Sequence, residues 1–273
     1  MRHKSFKNAT ELLRLFRSIL IHFFRDLKGI FLYFRNHWII NVQRKREFIF
    51  WGHLGLGDQI CYATLYEYWA DSSHTIHIPC KDSYFTTLKQ IYSYIPNLVF
   101  HPISNSSLKE RREVEKIRKS KNLPLIVSGH ETMQVMRMLF PKDGAQKSLI
   151  RTAGLRVKTL YSYRFRKHVL VLPQVNPPPH PYAFVNCRTS QGSIMLPVKA
   201  PWNKHLPIVE ECAETPVYSY AELLDNAHEI RSVGSVFMCL AIVMGAKAHS
   251  KYFISKRDLK NDVPINDWEI VSP

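Results

Sequence analysis

The loop "GHLGLGD" at residues 52–58 has residue types and a spacing that could bind a ligand. It follows "EFIFW", a short apolar run rich in β-forming residues, and it precedes "QICYATLYEYWA", whose apolar residues have helical spacing. A glycine-rich loop between a strand and a helix exposes backbone N–H groups at the helix N-terminus, where anions bind. Gly55 and Gly57, with His53 and Gln59 beside them, are therefore candidate ligand-binding residues.

Asp58 ends this loop, and its position allows two interpretations. A carboxylate near a helix start can satisfy free N–H groups without contacting any substrate, or it can face a bound ligand. The glycine spacing G-x-x-G-x-G differs both from the dinucleotide pattern G-x-G-x-x-G and from the triphosphate loop G-x-x-x-x-G-K-[ST]. By itself the loop predicts a tight strand-to-helix turn and favours no particular nucleotide.

The sequence predicts no metal centre and no bound cofactor. It contains no D-x-D pair and no H-E-x-x-H motif, and its five cysteines are widely spaced without a C-x-x-C. An odd number of separated cysteines argues against a disulfide framework, so a reducing compartment fits the chain best.

Positive charge is concentrated at the N-terminus. The net charge is +16, and residues 1–46 contribute +9 of it through eleven basic and two acidic residues. Within residues 10–42 apolar side chains recur at helical spacing, but basic residues interrupt them well before the roughly 20 apolar residues that a membrane span needs. A basic amphipathic helix rich in Phe, with Trp38 near its end, is typical of a helix in the interface of an anionic bilayer.

We therefore predict that residues 10–42 attach the chain to an anionic membrane surface. Packing of this helix on the protein's own core and a true membrane span are the alternatives. Attachment implies a cytoplasmic protein that is peripheral on the cytoplasmic membrane face. The rest of the chain is only mildly basic and lacks the spacing of known nucleic-acid-binding motifs, so no nucleic-acid partner is predicted.

From Glu47 onward strand-like and helix-like patterns alternate, which indicates parallel α/β sheets. Strand-like runs include "HTIHIPC", "LVFHPI", "LPLIVSGH", "YAFVNC", "TPVYSY" and "SKYFIS", and the stretch at 221–246 reads as mostly helical. The proline run "NPPPHP" cannot continue a helix or a sheet and predicts a linker. The predicted organisation is a basic helical segment over 1–46, an N-terminal Rossmann-like half over 47–175 and a shorter C-terminal Rossmann-like half over 176–273.

Four separated stretches, in order, resemble a family of glycosyltransferase-like proteins from surface-polysaccharide gene clusters. They are "HLGLGDQI", "YAFVNCRTSQGSI", "NAHEIRSVGSVFMCLA" and the tail "KYFISKRD" with "DWEIV". The family is similar to the GT-B superfamily, in the neighbourhood of heptosyltransferases and fucosyltransferases. The resemblance covers about residues 47–273.

The resemblance implies a GT-B-like α/β fold of two halves. It also implies metal-independent transfer of a sugar from a nucleotide-activated donor to a hydroxyl of a cell-surface glycan or glycolipid. Asp58 would be the catalytic base, and the loop residues would contact substrate. The candidates for donor binding are Asn186, Arg188, Gln191, Glu229, Ser232, Ser235 and Arg257.

The chain also departs from the family pattern. Asn186 replaces the usual His of the mid-chain motif, Arg188 lies where acidic residues are usual, Gln191 replaces an Arg, Arg231 replaces the His of the late motif, and Gly234 replaces its first Ser. A second hypothesis is therefore a catalytically inactive descendant that binds a glycan or assists assembly. A methyltransferase that binds S-adenosylmethionine is a third, although the acidic residue expected after the second strand is not evident.

Overall fold

The computed structural model describes residues 9–52, 55–129, 132, 139, 151–153, 155, 169–179, 181–189, 192–196, 201–212, 214–254 and 268–271. Within the first half of the chain the elements are α1 (Ala9–His37), a π-helical turn (Trp38–Val42), β1 (Glu47–Trp51), α2 (Leu56–Cys61), α3 (Ala63–Asp71), β2 (Thr75–Lys81), α4 (Asp82–Ile91), β3 (Leu98–Ile103), α5 (Ser107–Lys121) and β4 (Leu125–Val127).

The second half of the chain carries more, shorter strands. Its elements are β5 (Ala183–Asn186), β6 (Arg188–Thr189), β7 (Gly192–Ser193), β8 (Ile208–Glu210), a 3-10 helix (Val217–Tyr220), α6 (Ala221–Asn226), β9 (Glu229–Val233), α7 (Val236–Met244), β10 (Ser250–Ile254) and β11 (Glu269–Val271). The strands β6 and β7 form a small antiparallel ribbon of their own.

The first sheet has four parallel strands in the order β3-β2-β1-β4. Phe48, Ile49 and Phe50 of the central strand β1 are all buried, as expected for a parallel strand with both faces covered. On one face Phe50 packs edge-on against Tyr62, with ring centroids 4.9 Å apart, and against Trp69 at 5.2 Å. This aromatic cluster fixes α2 and α3 against the sheet.

The second sheet has five strands in the order β11-β10-β9-β5-β8, and every pairing in it is parallel. Phe184 of β5 is buried and contacts Tyr220 and Phe237, which lie in the 3-10 helix and in α7. The predicted parallel α/β architecture is confirmed by these two sheets. The predicted division near residue 175 falls between the strands of the two sheets and stays a prediction.

One prediction about local structure was wrong and another was incomplete. The run "TPVYSY" is a 3-10 helix over Val217–Tyr220 rather than a strand, because Pro216 sets up a helical turn. The stretch at 221–246 is mostly helical as predicted, but the prediction missed the buried strand β9 that divides α6 from α7. The alternation in β9 is hidden in the sequence because charged Glu229 and Arg231 occupy one of its two buried faces.

Among the side chains that the structure describes, those that fix α1 to the first sheet lie near its C-terminal end. The Asn36 side-chain amide donates to the carbonyls of Val127 and Thr152, both at 2.7 Å, and its oxygen accepts from the Val127 N–H at 3.2 Å. The next turn contributes Ile39 and Ile40 to the core. The C-terminal end of the predicted amphipathic helix is therefore firmly anchored to the first sheet.

Much of the apolar face of α1 is exposed. The exposed apolar side chains, hereafter the apolar stripe, are Leu13, Phe16, Leu20, Ile21, Phe23, Phe24, Leu27, Phe31, Phe34 and Trp38. Among the helices that the structure describes, none combines the length and hydrophobicity needed to cross a membrane. Packing on the protein's own core, one of the alternatives drawn from the sequence, thus describes one end and one face of α1. The apolar stripe is exposed and is not covered by that core.

Candidate functional site

A cavity of about 510 Å³, hereafter the cleft, lies where α2 of the first sheet meets α7 of the second. Its walls come from the start of both helices, the end of β5, and the loop after β8. The lining residues are Gly55, Leu56, Gly57, Asp58, Tyr84, Asn186, Arg188, Glu211, Cys212, Thr215, Val217, Gly234, Ser235, Val236, Phe237 and Cys239.

Gly57 allows the two helices to touch. A Cβ at this position would lie 3.2 Å from the Cys239 sulfur and 3.4 Å from the Val236 Cα, so even a methyl group would press on α7. The backbone of α2 therefore approaches the start of α7 closely. This contact brings residues that are almost 180 positions apart in the chain to one cleft.

The other two glycines of the loop also serve packing. A Cβ at Gly52 would lie 2.5 Å from ring atoms of buried Tyr62, whose hydroxyl donates to the Ser128 carbonyl at 3.1 Å. A Cβ at Gly55 would lie 2.7 Å from the Asp58 Oδ2. The three glycines thus make room for an aromatic ring, a carboxylate and a neighbouring helix.

The position of Asp58 is compatible with both interpretations drawn from the sequence. Its carboxylate folds back over Gly55, the N-cap residue of α2, which is the placement of a first-turn acid that stabilises a helix start. The same residue lines the cleft. Its position is therefore compatible with a role toward substrate as well as toward the helix.

A polar network closes the second side of the cleft. The Ser235 hydroxyl donates to the Asn186 Oδ1 at 2.5 Å, and the Ser232 hydroxyl donates to the same oxygen at 3.3 Å. The Asn186 amide donates to the Arg188 carbonyl at 3.4 Å. The carboxyl ends of neighbouring strands β5 and β9 are thereby connected to the start of α7.

The N-terminus of α7 is available to an anion. Ser235 is its N-cap residue, but the hydroxyl is directed to Asn186 instead of to the first turn of the helix. Val236 and Phe237, which follow it, line the cleft. Backbone N–H groups and the helix dipole favour negative charge at such a position.

Arg188 and Glu211 form the charged rim of the cleft. The Arg188 Nε lies 3.8 Å from the Glu211 Oε1, and the arginine side chain is 60% exposed whereas the glutamate is only 8% exposed. An exposed guanidinium at this separation contributes little to stability. It can therefore turn toward a phosphate, for which its planar donors are well suited.

Two cysteines next to the cleft, Cys61 and Cys187, have thiols that are poor nucleophiles. A hydrogen bond with Cys239, together with burial, raises the pKa of Cys61 well above its usual range. Burial and the nearby carboxylates of Glu211 and Glu210 raise the pKa of Cys187. Since the thiolate is the reactive form, neither cysteine has the environment of a catalytic thiol. Across the described ranges, no group of three or more His, Cys, Asp or Glu side chains could hold a metal ion.

The structure brings together six of the residues proposed from the sequence. Those that line the cleft are Gly55, Gly57, Asp58, Asn186, Arg188 and Ser235. Ser232 is fully buried behind them and reaches the cleft only through Asn186. His53, Gln191 and Arg257 lie outside the described residues.

Two proposed binding residues have other partners. Gln59 is buried in α2, where its Oε1 accepts from the Tyr66 hydroxyl at 2.7 Å. Glu229 is buried at the start of β9, and its Oε1 accepts from the Arg231 Nε at 2.5 Å. Because Glu229 and Ser232 are three residues apart on a strand, their side chains point to opposite faces. Neither Gln59 nor Glu229 lines the cleft, and both make structural contacts, so their role in binding stays a prediction.

Sequence reasoning missed Tyr84, Glu211 and Thr215, which also line the cleft. Tyr84 belongs to the first turn of α4, and Glu211 directly follows the edge strand β8. The carboxyl end of a parallel strand is where ligands gather, so assigning "IVE" as a strand would have pointed to Glu211. Thr215 belongs to an irregular stretch that carries no comparable signal.

No protein-family model and no curated protein matches this sequence. Among solved structures, the chain is similar to a glycosyl transferase family 9 protein from Veillonella parvula DSM 2008. The TM-score is 0.46 and the sequence identity is 11%, over 84% of this chain and 86% of the other. The function proposed below therefore rests on the geometry of this chain's own residues.

Proposed function

We propose that this protein is a glycosyltransferase that moves a sugar from a nucleotide-activated donor to an acceptor hydroxyl. The observation that carries the proposal is the composition of the cleft, which has a carboxylate on one side and anion-binding groups on the other. Asp58 comes from the first sheet's α2, while Arg188 and the start of α7 come from the second. A two-sided cleft with these groups suits a reaction between an acceptor hydroxyl and a diphosphate-linked sugar.

In this mechanism the diphosphate of the donor occupies the second side of the cleft. Backbone N–H groups at the start of α7 and the Arg188 guanidinium stabilise the negative charge that develops on the leaving phosphate. These groups supply the charge stabilisation that a metal ion provides in other transferases, so the proposed reaction is metal-independent. The donor itself is a substrate, and no further cofactor is proposed.

On the first side, Asp58 accepts the proton of the acceptor hydroxyl. The acceptor oxygen forms a bond to the anomeric carbon, the bond from that carbon to the phosphate oxygen breaks, and the nucleoside diphosphate leaves with both bonding electrons. The Asp58 carboxylate lies close to Gly55, which keeps it at the N-terminus of α2. Gly57 has an indirect role, because it lets α2 and α7 lie close enough to share one cleft.

The acceptor is proposed to be a cell-surface glycan or glycolipid, reached while the protein is peripheral on the cytoplasmic membrane face. Support comes from α1, whose apolar stripe is exposed beside basic residues such as Arg14 and Arg17. This combination suits the interface of an anionic bilayer.

The test is a transfer assay with a panel of nucleotide sugars, comparing Asp58→Asn with Asp82→Asn. We expect Asp58→Asn to lower the turnover rate by about 10²- to 10⁴-fold, the usual contribution of a general base. Asp82 is an exposed acid in the first turn of α4 and does not line the cleft, so its replacement controls for a lost helix-start charge. Equal rates for the two variants would remove Asp58 from the mechanism.

The non-catalytic alternative has one observation in its favour, which is that Asp58 folds back onto the helix start as a stabilising acid does. Measuring the melting temperature in the presence of nucleoside diphosphates, together with the transfer assay, distinguishes this alternative from the glycosyltransferase. Stabilisation without transfer of any sugar would favour a binding protein. No stabilisation by any nucleoside diphosphate would contradict the glycosyltransferase function.

A further inference from the structure

A second cavity, of about 360 Å³, lies on the other side of the first sheet and is hereafter the switch cavity. Trp51 and Val127, the last residues of β1 and β4, lie at its base. In the order β3-β2-β1-β4, the strands β2 and β3 are added on one side of β1 and the strand β4 on the other. The order of strand addition therefore reverses between β1 and β4, although the two strands are parallel. Ligands of open α/β sheets bind outside the carboxyl ends of strands at such a point, and the volume falls within the range of roughly 300–1,000 Å³ for small-molecule sites.

Basic side chains border this cavity from two helices. Lys28 and Arg35 come from α1, and Arg111 comes from α5. Two glutamates also line it, but each has a partner. The Glu110 Oε1 accepts from the Trp51 indole N–H at 2.9 Å, and the Glu115 Oε2 accepts from the Arg118 Nε at 2.7 Å.

Arg35 is the innermost of these cations. Its Nη2 donates to the Leu125 carbonyl at 2.9 Å, and its Nε is buried without a hydrogen-bond partner among the described residues. Burial, and then the nearby Arg118, lower the pKa of Arg35, while Glu115 acts in the opposite direction. The guanidinium as a whole is only half-buried, and the planar donors on its accessible part make it a favourable partner for an anion.

The apolar stripe runs beside this cavity. Lys28, Leu32 and Arg35 line the cavity, whereas Leu27, Phe31 and Phe34 are each one residue earlier and are exposed. One residue corresponds to a rotation of about 100° around a helix, so the two sets lie on adjoining faces of α1. A ligand with an anionic head and a hydrocarbon tail would match both faces at once.

We propose that the switch cavity binds the phosphate headgroup of an anionic membrane lipid while the apolar stripe lies in the bilayer interface. Arg35 binds the phosphate from the inside, and Lys28 and Arg111 bind it at the rim. The inference rests on the membrane attachment proposed for α1 and is independent of sugar transfer. It assigns this protein a headgroup site in addition to a general electrostatic attraction.

The test is co-sedimentation of the full chain with vesicles of phosphatidylcholine alone and with an equimolar mixture of phosphatidylcholine and phosphatidylglycerol. Arg111→Gln is compared with Arg112→Gln, because the two exposed arginines are adjacent on α5 and only Arg111 lines the cavity. We expect Arg111→Gln to weaken binding to the mixed vesicles by about 10- to 100-fold, the loss of a hydrogen bond to a charged group. Arg112→Gln should weaken it by about fivefold or less, as one basic residue near an anionic surface does.

On α1, Lys28→Gln is compared with Arg14→Gln in the same way, since Arg14 is exposed on the helix but does not line the cavity. Arg35→Gln is added with a measured melting temperature, so that a folding defect is separated from a binding defect. Equal losses within both matched pairs would overturn the headgroup site and leave only electrostatic attraction.

Two further results would also decide against the proposal. Stabilisation by inorganic phosphate together with no binding to mixed vesicles would assign the cavity to a free anion. Equal binding to both kinds of vesicle would show that the headgroup charge is not recognised. No sugar donor is present in these experiments, and the Asp58→Asn variant should bind vesicles as the wild type does, so the outcome is separable from that of the transfer assay.

Discussion

Two strand–turn–helix units border the cleft, and they are held together by different forces. In the first, β1 leads through the glycine loop into α2, and the parts fit because three positions lack a side chain. In the second, β9 leads into α7, and the hydrogen bonds of Ser232 and Ser235 to Asn186 connect the parts, while a buried ion pair lies within β9 itself. The same local geometry is thus built once by steric fit and once by polar contacts.

The difference separates supporting residues from residues that can act on a ligand. In the first unit, Gly52 packs against Tyr62 and Gly57 packs against α7. Asp58 is therefore the residue of this unit that can act on a ligand. In the second unit Ser235 is engaged by Asn186, and the backbone at the start of α7 is left for an anion. Three substitutions probe this contrast, beginning with the largest expected effect, and a change of pH then tests a polar pair elsewhere on the first sheet.

Arg231→Met would remove the buried ion pair of the second unit. Both side chains of the Arg231–Glu229 pair are 3% exposed, and the Arg231 Nη2 also donates to the Asn203 carbonyl at 2.7 Å. Removing the cation leaves a buried carboxylate without its counter-charge, which costs about 3–5 kcal/mol of unfolding free energy. Urea unfolding measures the loss. Arg188→Met removes an exposed cation and serves as the control, and similar losses for both variants would refute a special role for the buried pair.

Gly52→Ala would break the steric fit of the first unit. The new Cβ would lie 2.5 Å from the Tyr62 ring, which is buried and cannot withdraw easily. We expect a destabilisation of about 1–3 kcal/mol, typical of overpacking in a dense core. Gly129→Ala is the matched control, since nothing lies within 4 Å of a Cβ there, and its unfolding free energy should change by about 0.5 kcal/mol or less. Chemical denaturation of the two variants would contradict the steric explanation if they lost equal stability.

Ser235→Ala removes a single hydrogen bond of the second unit and should cost less stability than either substitution above. It removes one of the two hydroxyl donors to the Asn186 Oδ1 and leaves Ser232 in place at 3.3 Å. The expected cost is about 1 kcal/mol, the net value of an ordinary hydrogen bond. Because the backbone at the start of α7 is unchanged, binding of a nucleoside diphosphate should be retained in calorimetry. Loss of that binding would show that the hydroxyl itself contacts the ligand.

The smallest effect concerns a polar pair on the first sheet, in which His77 is buried and His101 is half-buried. His77 Nδ1 and His101 Nε2 share a hydrogen bond at 2.8 Å, and burial, the His77 ring and Lys121 lower the pKa of His101 to about 4. The unfolded chain takes up this proton near pH 6.5 and the folded chain does not, so the stabilisation is complete above pH 6.5 and is lost as the pH falls toward 4.

We expect this loss to be about 1 kcal/mol, because solvent screens a ring that is only half-buried. The unfolding free energy, measured between pH 7 and pH 4.5, should fall less steeply for His101→Gln than for the wild type. His205→Gln, at an exposed position, should follow the wild-type curve. A His101→Gln curve parallel to that of the wild type would exclude this histidine as a source of the pH dependence.

The parallel α/β architecture was predictable because most strands of both sheets are apolar runs between turn signals. The strand β9 was not, since a buried ion pair gives it the appearance of a polar segment. Asp58, Asn186, Arg188 and Ser235 were found through short motifs, but their meeting at one cleft depends on the close contact between α2 and α7. That contact is a property of tertiary packing that the spacing of residues along the chain does not express.

Gly57 also limits how the two sheets can move. A Cβ there would lie 3.4 Å from the Val236 Cα and 3.7 Å from its backbone nitrogen, so α2 and α7 are almost at backbone contact. Helices this close cannot slide past each other without a clash, but they can rotate about the point where they touch. Any relative movement of the two sheets would therefore have to preserve the contact at Gly57, which acts as a fixed point between the two sides of the cleft.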